Sequence, residues 1–173
     1  MEERNHKKYF AIKLCIFTLL AGAVFFLRAP LVVNLNYFIG GLMLLYSLEG
    51  FLFAVLYERE HFFHNGKIYL AFIDALFGLT LLIAHVSYES VCVIWATWSI
   101  LRESYEIKEI VCELKHWIPR LMSGLESVVV IVFSIMLILE PGEHHAMIHA
   151  YLLLAELIFT PVVPLLDEVL EDK

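Results

Sequence analysis

Charged residues are scarce in this sequence, and the motifs of soluble active sites are absent from it. Charged side chains make up 18% of the 173 residues, whereas a soluble domain usually carries about 25%. The apolar content of 61% also excludes a disordered chain, because disordered chains are poor in aliphatic and aromatic residues. No G-x-S-x-G, P-loop, G-x-G-x-x-G or H-E-x-x-H pattern occurs. We therefore do not expect a soluble enzyme.

Cysteines are few, and clusters of basic residues are lacking. The three cysteines are odd in number and form no C-x-x-C pair, so no disulfide framework is predicted. Each lies in or at the end of an apolar run, where a free cysteine acts as a small apolar side chain; they are Cys15, Cys92 and Cys112. Because no block of Lys and Arg occurs, nucleic acid is not an expected partner. No cofactor is predicted.

Six long apolar runs make up most of the chain. They cover residues 9–27, 31–57, 68–86, 90–110, 118–139 and 145–166. About 20 apolar residues span the hydrocarbon core of a bilayer, so the runs predict an all-α polytopic membrane protein with six transmembrane helices. Turn signals separate several runs, most clearly at Pro141-Gly142. The fourth run is amphipathic in its second half, which we interpret as a span that continues into a cytoplasmic helical stalk.

The first run shares some features with a secretory signal peptide. Lys7 and Lys8 form a basic start, and Ala21-Gly22-Ala23 resembles a cleavage site. The apolar run continues past that site to Leu27, however, and Lys13 lies inside it. We therefore interpret this run as an uncleaved first span.

Basic residues are distributed unevenly over the predicted connections. Short cytoplasmic connections of membrane proteins are enriched in Lys and Arg. With six spans and both termini inside, all but one of the 12 basic residues lie on the cytoplasmic side, and Arg28 is the exception. An odd number of spans would remove this agreement. We therefore predict a multi-pass protein of the cell (cytoplasmic) membrane with both termini cytoplasmic.

The spans also suggest an internal repeat of three αα-hairpins, at about residues 9–57, 68–114 and 117–166. Gly22, Gly78 and Ser134 are evenly spaced, and each precedes a turn. Small residues at such positions let helix backbones approach each other in lipid. The second helix of each hairpin carries one glutamate; these are Glu49, Glu103 and Glu156. A fixed period of this kind predicts one structural unit that is used three times.

This pattern resembles the HdeD-like acid-resistance membrane proteins. The segments that carry the resemblance are LAGAVFFLRAP at residues 20–30 and IGGLMLLY at residues 39–46, and Trp117 at the start of the fifth helix is also similar. The third repeat departs most, because Ser134 replaces a glycine and Pro161 and Pro164 are expected to interrupt the last helix. The resemblance implies a six-span protein of the cytoplasmic membrane with a role in acid stress. It implies no catalytic residue.

Acidic residues deep in the predicted spans are candidate functional groups, because each costs about 2.5–3.5 kcal/mol on insertion scales. Five lie deepest: Glu49, Asp74, Glu103, Glu126 and Glu156. One interpretation is a proton-responsive cluster with Lys13 or Arg102 as its counter-charge. The other is hydrogen bonding that only holds the helices together, at about 0.6 kcal/mol for each bond. Asp74 lies four residues before Gly78, on one helix face, which we expect to point into the bundle.

A second polar group lies at the predicted outer start of the last helix. It consists of Glu143, His144, His145 and His149. His145 and His149 are four residues apart and share a helix face, a spacing that suits a metal ion. Imidazole titrates near about pH 6.5, so a pH sensor is a second interpretation, and a solvated helix start is a third. His85 and Glu89 are predicted on the same outer side.

The aromatic residues are expected mainly near span ends or facing lipid, as in the belts at membrane surfaces. This expectation covers Trp95, Trp98, Trp117, Tyr37, Tyr46, Tyr57 and Tyr88.

Taken together, the sequence favours a non-enzymatic integral membrane protein of the acid-stress type. Protonation of the outer histidines and the buried carboxylates would shift its helix packing. One alternative is a small proton-linked transporter or channel that these carboxylates line. Another is a metal-dependent membrane enzyme that uses His145 and His149. The predicted partner is the lipid bilayer, while a homo-oligomer and the identity of an ion or small-molecule ligand are left open.

Overall fold

The computed structural model describes residues 2–26, 34–57, 66–84, 86–112 and 114–171, and every regular element in these ranges is an α-helix. The all-α class is therefore confirmed. The six helices are α1 (Glu2–Phe26), α2 (Leu35–Tyr57), α3 (Gly66–Ile83), α4 (Tyr88–Cys112), α5 (Trp117–Leu139) and α6 (Glu143–Glu171). The connection between the first two apolar runs, at residues 28–30, and His85 lie outside the described residues, as does most of the next connection, at residues 58–67.

Two helix boundaries follow the sequence signals, and one expectation is wrong. Helix α5 begins at Trp117 as predicted, and the turn at residues 140–142 separates α5 from α6. Pro161 and Pro164, however, lie inside α6, which continues through both. Each proline removes one backbone donor, but helices in membranes tolerate this because neighbouring helices and local adjustments satisfy the freed carbonyls.

The helices do not pack most extensively in the predicted hairpin pairs. Among the described residues, the largest contacts join α2 to α3, α4 to α5, α1 to α6 and α5 to α6. Of the three predicted hairpins, only the third thus has both of its helices in extensive contact. Hydrophobicity locates helices along the chain, but small and polar residues select the partner of each helix in lipid. The apolar runs therefore predict where the helices lie along the chain, but not which helices pack against each other.

Helix α5 shows how the bundle arranges its surfaces. Its buried face contains the small and polar residues Ser123, Ser127 and Ser134, spaced at helical intervals. Large apolar side chains such as Leu125 and Val128 are instead exposed, at 59% and 58%. Apolar side chains on the outside and small polar ones inside are compatible with an apolar surrounding, since water would favour the reverse.

Among the described residues, three helices are long and apolar enough to cross a membrane. They are Leu35–Val55, Trp117–Leu139 and Glu143–Glu171. Two shorter apolar stretches, Phe10–Phe25 and Ile68–Ile83, lie in α1 and α3. Helix α4 falls short in composition because Arg102, Glu103 and further charged residues follow its apolar first half. These three helices are compatible with a membrane protein.

Candidate functional site

The polar centre of the bundle is built around Arg102 of α4, whose side chain is almost completely buried. Its Nη1 lies 2.9 Å from Oδ2 of Asp74 in α3, and its Nη2 lies 3.4 Å from Oε1 of Glu106 one turn further along α4. Its Nε is 3.9 Å from Oε1 of Glu156 in α6. One guanidinium therefore connects three carboxylates from three helices.

Two aromatic side chains complete the surroundings of Arg102. The guanidinium carbon lies 3.9 Å from the ring centre of Tyr46 and 5.6 Å from that of Trp98. The Tyr46 hydroxyl donates to Glu156 at 3.2 Å, and the Trp98 indole N–H donates to Asp74 at 2.7 Å. Each ring thus contacts the cation with its face and a carboxylate with its polar edge.

These contacts correct the expectation for three of the aromatic residues. Trp95, Trp98 and Tyr46 are at most 1% exposed and lie in the core rather than at a span end or against lipid. They are buried because their rings pack on Arg102, on His149 and on each other. The expectation agrees with the exposure of Trp117, Tyr37 and Tyr88, while the side chain of Tyr57 lies outside the described residues.

Three glutamates from three helices form a carboxylate cluster beside Arg102. Glu103 of α4, Glu126 of α5 and Glu156 of α6 each place one carboxylate oxygen within 4.8 Å of the other two. Glu103 and Glu156 are buried, and Glu126 is half-buried. We call these three residues the carboxylate triad. Ionised carboxylates this close repel one another strongly inside a bundle, because the repulsion is poorly screened there. Either one or more of them binds a proton and becomes neutral, or a cation offsets their charge.

Positive charge near the triad is limited among the described residues. Arg102 is shared with Asp74 and Glu106, which are closer to it than Glu156 is. Lys13 of α1 binds Glu49 of α2 at 2.8 Å and so forms a separate pair. The two basic residues that the sequence offered as counter-charges are therefore both engaged by carboxylates outside the triad. This leaves the triad with a net negative charge when it is ionised.

A cavity of about 190 Å³ lies next to these groups. It is lined by residues of the first halves of α1, α3 and α5 and of the second halves of α2, α4 and α6, so it lies in the half of the bundle where the chain begins and ends. Its polar lining consists of Lys13, Tyr46, Glu49, Asp74, Arg102, Tyr105, Glu106, Ser123, Glu126 and Thr160. Of the five predicted acidic positions, Glu49, Asp74 and Glu126 line the cavity. Glu156 contacts the lining residue Tyr46, and Glu103 lies beside Glu126 and Glu156 in the triad.

The histidines of α6 are not brought together at one point. His149 is 2% exposed, and its Nε2 lies 3.1 Å from the Ser99 hydroxyl and 3.5 Å from that of Ser134. His145 instead faces the preceding turn, with Nδ1 3.1 Å from the carbonyl oxygen of Glu140. Glu143 and His144 are exposed at the start of the helix, and Glu89 is exposed at the start of α4. Within the described ranges, the triad is the one set of three or more ligands close enough to share a metal ion.

Besides Glu106, which contacts Arg102, the sequence analysis missed a second structural carboxylate, Asp167. Asp167 near the end of α6 accepts hydrogen bonds from the backbone N–H groups of Lys115 at 3.0 Å and His116 at 2.9 Å. It also lies 2.8 Å from Nδ1 of His116. These bonds hold the start of α5 against the end of α6. The predicted sixth run ends at residue 166, so the acidic residue that follows it was counted as part of the tail.

Comparison with known proteins gives no relative. No protein family, no curated protein and no solved structure matches this chain. Membership of the HdeD-like family therefore stays a prediction from the segments at residues 20–30 and 39–46.

Proposed function

We propose that all six helices cross the membrane, with both termini on the cytoplasmic side of the cell membrane. The charged residues of α4 that shorten its apolar stretch, Arg102 and Glu103, are buried in the bundle, where intramembrane charges are tolerated. The apolar stretches of α1 and α3 are short, but a span can be completed by local thinning of the bilayer and by long side chains that reach the interface. The basic residues of the connections support this orientation.

Within this bundle, we propose a non-enzymatic role in which the carboxylate triad takes up protons when the surroundings turn acidic. The observation that carries this proposal is the approach of three carboxylate oxygens from three helices to within 4.8 Å. Protonation removes their repulsion, and each helix that carries a triad residue can then approach the others more closely. The resemblance to HdeD-like proteins supports acid stress as the setting in which this response is useful.

Other charged and titratable groups affect whether the triad carboxylates are protonated or ionised. They are Tyr46 and Glu49 of α2, Asp74 of α3, Arg102 and Glu106 of α4, and Lys13 of α1. Arg102 favours ionised carboxylates, while Asp74 and Glu106 offset its charge. The triad is therefore expected to gain protons as the pH falls.

Proton uptake by the purified chain tests this role. The full-length protein in detergent micelles, with EDTA present, is acidified in steps from neutral to mildly acidic pH, and the protons bound per chain are counted. We expect the triple variant E103Q/E126Q/E156Q to bind at least one proton fewer than the wild type in this range. Glu89→Gln, at an exposed position of α4, is the control and should bind nearly as many as the wild type. Equal uptake by the wild type and the triple variant would exclude the triad as a proton acceptor.

A small proton-linked transporter is the second candidate, and the cavity beside Glu126 favours it. Its polar lining would give an ion or small polar substrate access to the triad from one side of the bundle. A proton or ion flux in sealed proteoliposomes, lost in Glu126→Gln and kept in Glu89→Gln, would support transport. Vesicles that stay sealed at every pH would exclude it and leave the proton-uptake role intact.

A further inference from the structure

We propose that the carboxylate triad is a binding site for one hard divalent cation, such as Mg²⁺, Mn²⁺ or Ca²⁺. This inference deepens the proposed function by naming a ligand that competes with protons for Glu103, Glu126 and Glu156. Oxygen ligands lie about 2.0–2.1 Å from Mg²⁺ and about 2.3–2.6 Å from Ca²⁺, so ligands on opposite sides of one ion are about 4–5 Å apart. That distance is the greatest separation possible between two ligands of one ion, and the oxygens of the triad, all within 4.8 Å of one another, lie within it.

Buried polar atoms without a hydrogen-bond partner point to the same place. The Glu103 side chain is fully buried, and neither of its oxygens has a partner among the described residues. The hydroxyl of Ser127 in α5, which is 1% exposed, lies near the Glu103 carboxylate but makes no hydrogen bond of normal length and angle with it or with another described residue. Buried polar atoms are nearly always paired in proteins, so an unpaired carboxylate at the centre of a ligand set indicates a missing partner. A cation bound between the three helices supplies that partner.

The charge distribution favours a cation over further hydrogen bonding. Ionised, the triad carries three negative charges, and within the described ranges its one ion pair joins the Arg102 Nε to Glu156 at 3.9 Å. The rest of that guanidinium is engaged by Asp74 at 2.9 Å and by Glu106 at 3.4 Å. A divalent ion offsets two charges at one point, which no neutral donor can do. Because all the ligand atoms are oxygens, a hard ion is favoured over zinc or copper.

The cavity provides a route to this site. Glu126 is the half-buried member of the triad and also lines the cavity, together with Ser123 one turn earlier on α5. A hydrated ion can thus meet Glu126 first and lose water as it reaches Glu103 and Glu156. Mg²⁺ gives up its water reluctantly, so Mn²⁺ and Ca²⁺ are expected to enter more readily.

Mn²⁺ binding to the full-length chain in detergent micelles tests the site. Free Mn²⁺ is measured by electron paramagnetic resonance after all metal has been removed with a chelator and the chelator washed out. We expect one Mn²⁺ per wild-type chain, and binding weaker by about 10- to 100-fold or more in Glu103→Gln and in Glu126→Gln. Glu89→Gln should bind like the wild type. We also expect Ca²⁺ to displace Mn²⁺ and Mn²⁺ binding to release protons.

The outcomes separate the cation site from the proton role. Wild-type protein that binds no Mn²⁺, or that binds it as tightly as folded Glu103→Gln, would exclude the cation site. Proton uptake in EDTA that still depends on the triad would then leave the proposed function standing. If a glutamine variant fails to fold, two other measurements test the site: the number of Mn²⁺ ions bound per wild-type chain, and Mn²⁺ binding by Ser127→Ala. Loss of this small hydroxyl should weaken Mn²⁺ binding while keeping the fold. Unchanged Mn²⁺ binding in folded Ser127→Ala and Glu126→Gln would place the ion elsewhere.

Discussion

The α2–α3 interface and the α4–α5–α6 interface hold the same bundle together by opposite means. Between α2 and α3, the backbones meet at Gly40 and Gly78, where a Cβ on either residue would lie 2.9–3.0 Å from the carbonyl oxygen of the other. Between α4, α5 and α6, serines, glutamates and His149 are buried instead. The first interface depends on close van der Waals contact, and the second depends on polar groups that need partners.

This difference shows where function can reside. The contact between Gly40 and Gly78 itself carries no titratable side chain, and Asp74, which lies one turn before Gly78 on α3, is already paired with Arg102 at 2.9 Å. The polar interface costs free energy to bury, and it leaves oxygens of Glu103 and Glu126 without a hydrogen-bond partner among the described residues. We therefore assign the structural role to α2–α3 and the responsive role to α4, α5 and α6.

Removal of Arg102 is expected to have the largest effect on stability. Arg102→Gln leaves Asp74 and Glu156 buried without their cation, and the loss of one partner of a buried ion pair costs about 3–5 kcal/mol. The free energy of unfolding in mixed micelles measures this change. Arg120→Gln is the control, because Arg120 is exposed and, among the described residues, its side chain donates to the Leu114 carbonyl oxygen rather than to a carboxylate. Equal losses in the two variants would mean that the polar centre contributes no more than a surface contact.

Crowding of the glycine contact is expected to have an intermediate effect. Gly78→Ala places a methyl group 2.9 Å from the Gly40 carbonyl oxygen, so the two helices must move apart. Overpacking of this kind costs about 1–3 kcal/mol. Gly41→Ala is a matched control in α2, since a Cβ there meets nothing within 4 Å. The same unfolding measurement compares them, and a Gly41→Ala variant as unstable as Gly78→Ala would contradict a backbone contact at this position.

A single hydrogen bond in the polar interface is expected to matter least. Ser99→Ala removes the hydroxyl 3.1 Å from Nε2 of His149. Hydrogen bonds between membrane helices contribute about 0.6 kcal/mol on average, so a loss of that size is expected. Ser104→Ala, on the exposed side of the same helix, removes only a bond to the Ile100 carbonyl within α4 and should change stability less. If Ser99→Ala lowered the free energy of unfolding more than Gly78→Ala does, His149 would have to stabilise the interface by more than this single hydrogen bond.

Helix positions and buried acidic residues could be predicted from the sequence, because both leave a local signal. Apolar runs of span length mark the helices, and an acidic residue inside such a run is conspicuous. Glu103, Glu126 and Glu156 were found in this way, and Lys13 was one of the two counter-charges offered. The sequence did not indicate, however, that these three glutamates would meet apart from the Lys13–Glu49 pair. Periodicity defines the face of a helix, whereas the neighbour of that face depends on packing over the whole bundle.

The missed features have a common physical reason. Tyr46 and Trp98 were assigned to the membrane surface from residue type alone, but a buried guanidinium offers them a cation and a hydrogen-bond acceptor in the core. Pro161 was expected to break a helix, as it would in water, whereas the bundle supports α6 on both sides of it. In each case the tertiary surroundings outweighed the local preference of the residue.

Infrared spectroscopy of the carboxyl groups tests the central claim most directly. Difference spectra between neutral and mildly acidic pH, recorded with EDTA present, resolve the carbonyl stretch of protonated carboxyls shielded from water. We predict such a band in the wild type and in Glu89→Gln, and a clear loss of its intensity in Glu103→Gln and in Glu126→Gln. A band of equal intensity in all four proteins, or none in the wild type, would contradict a buried triad that takes up protons.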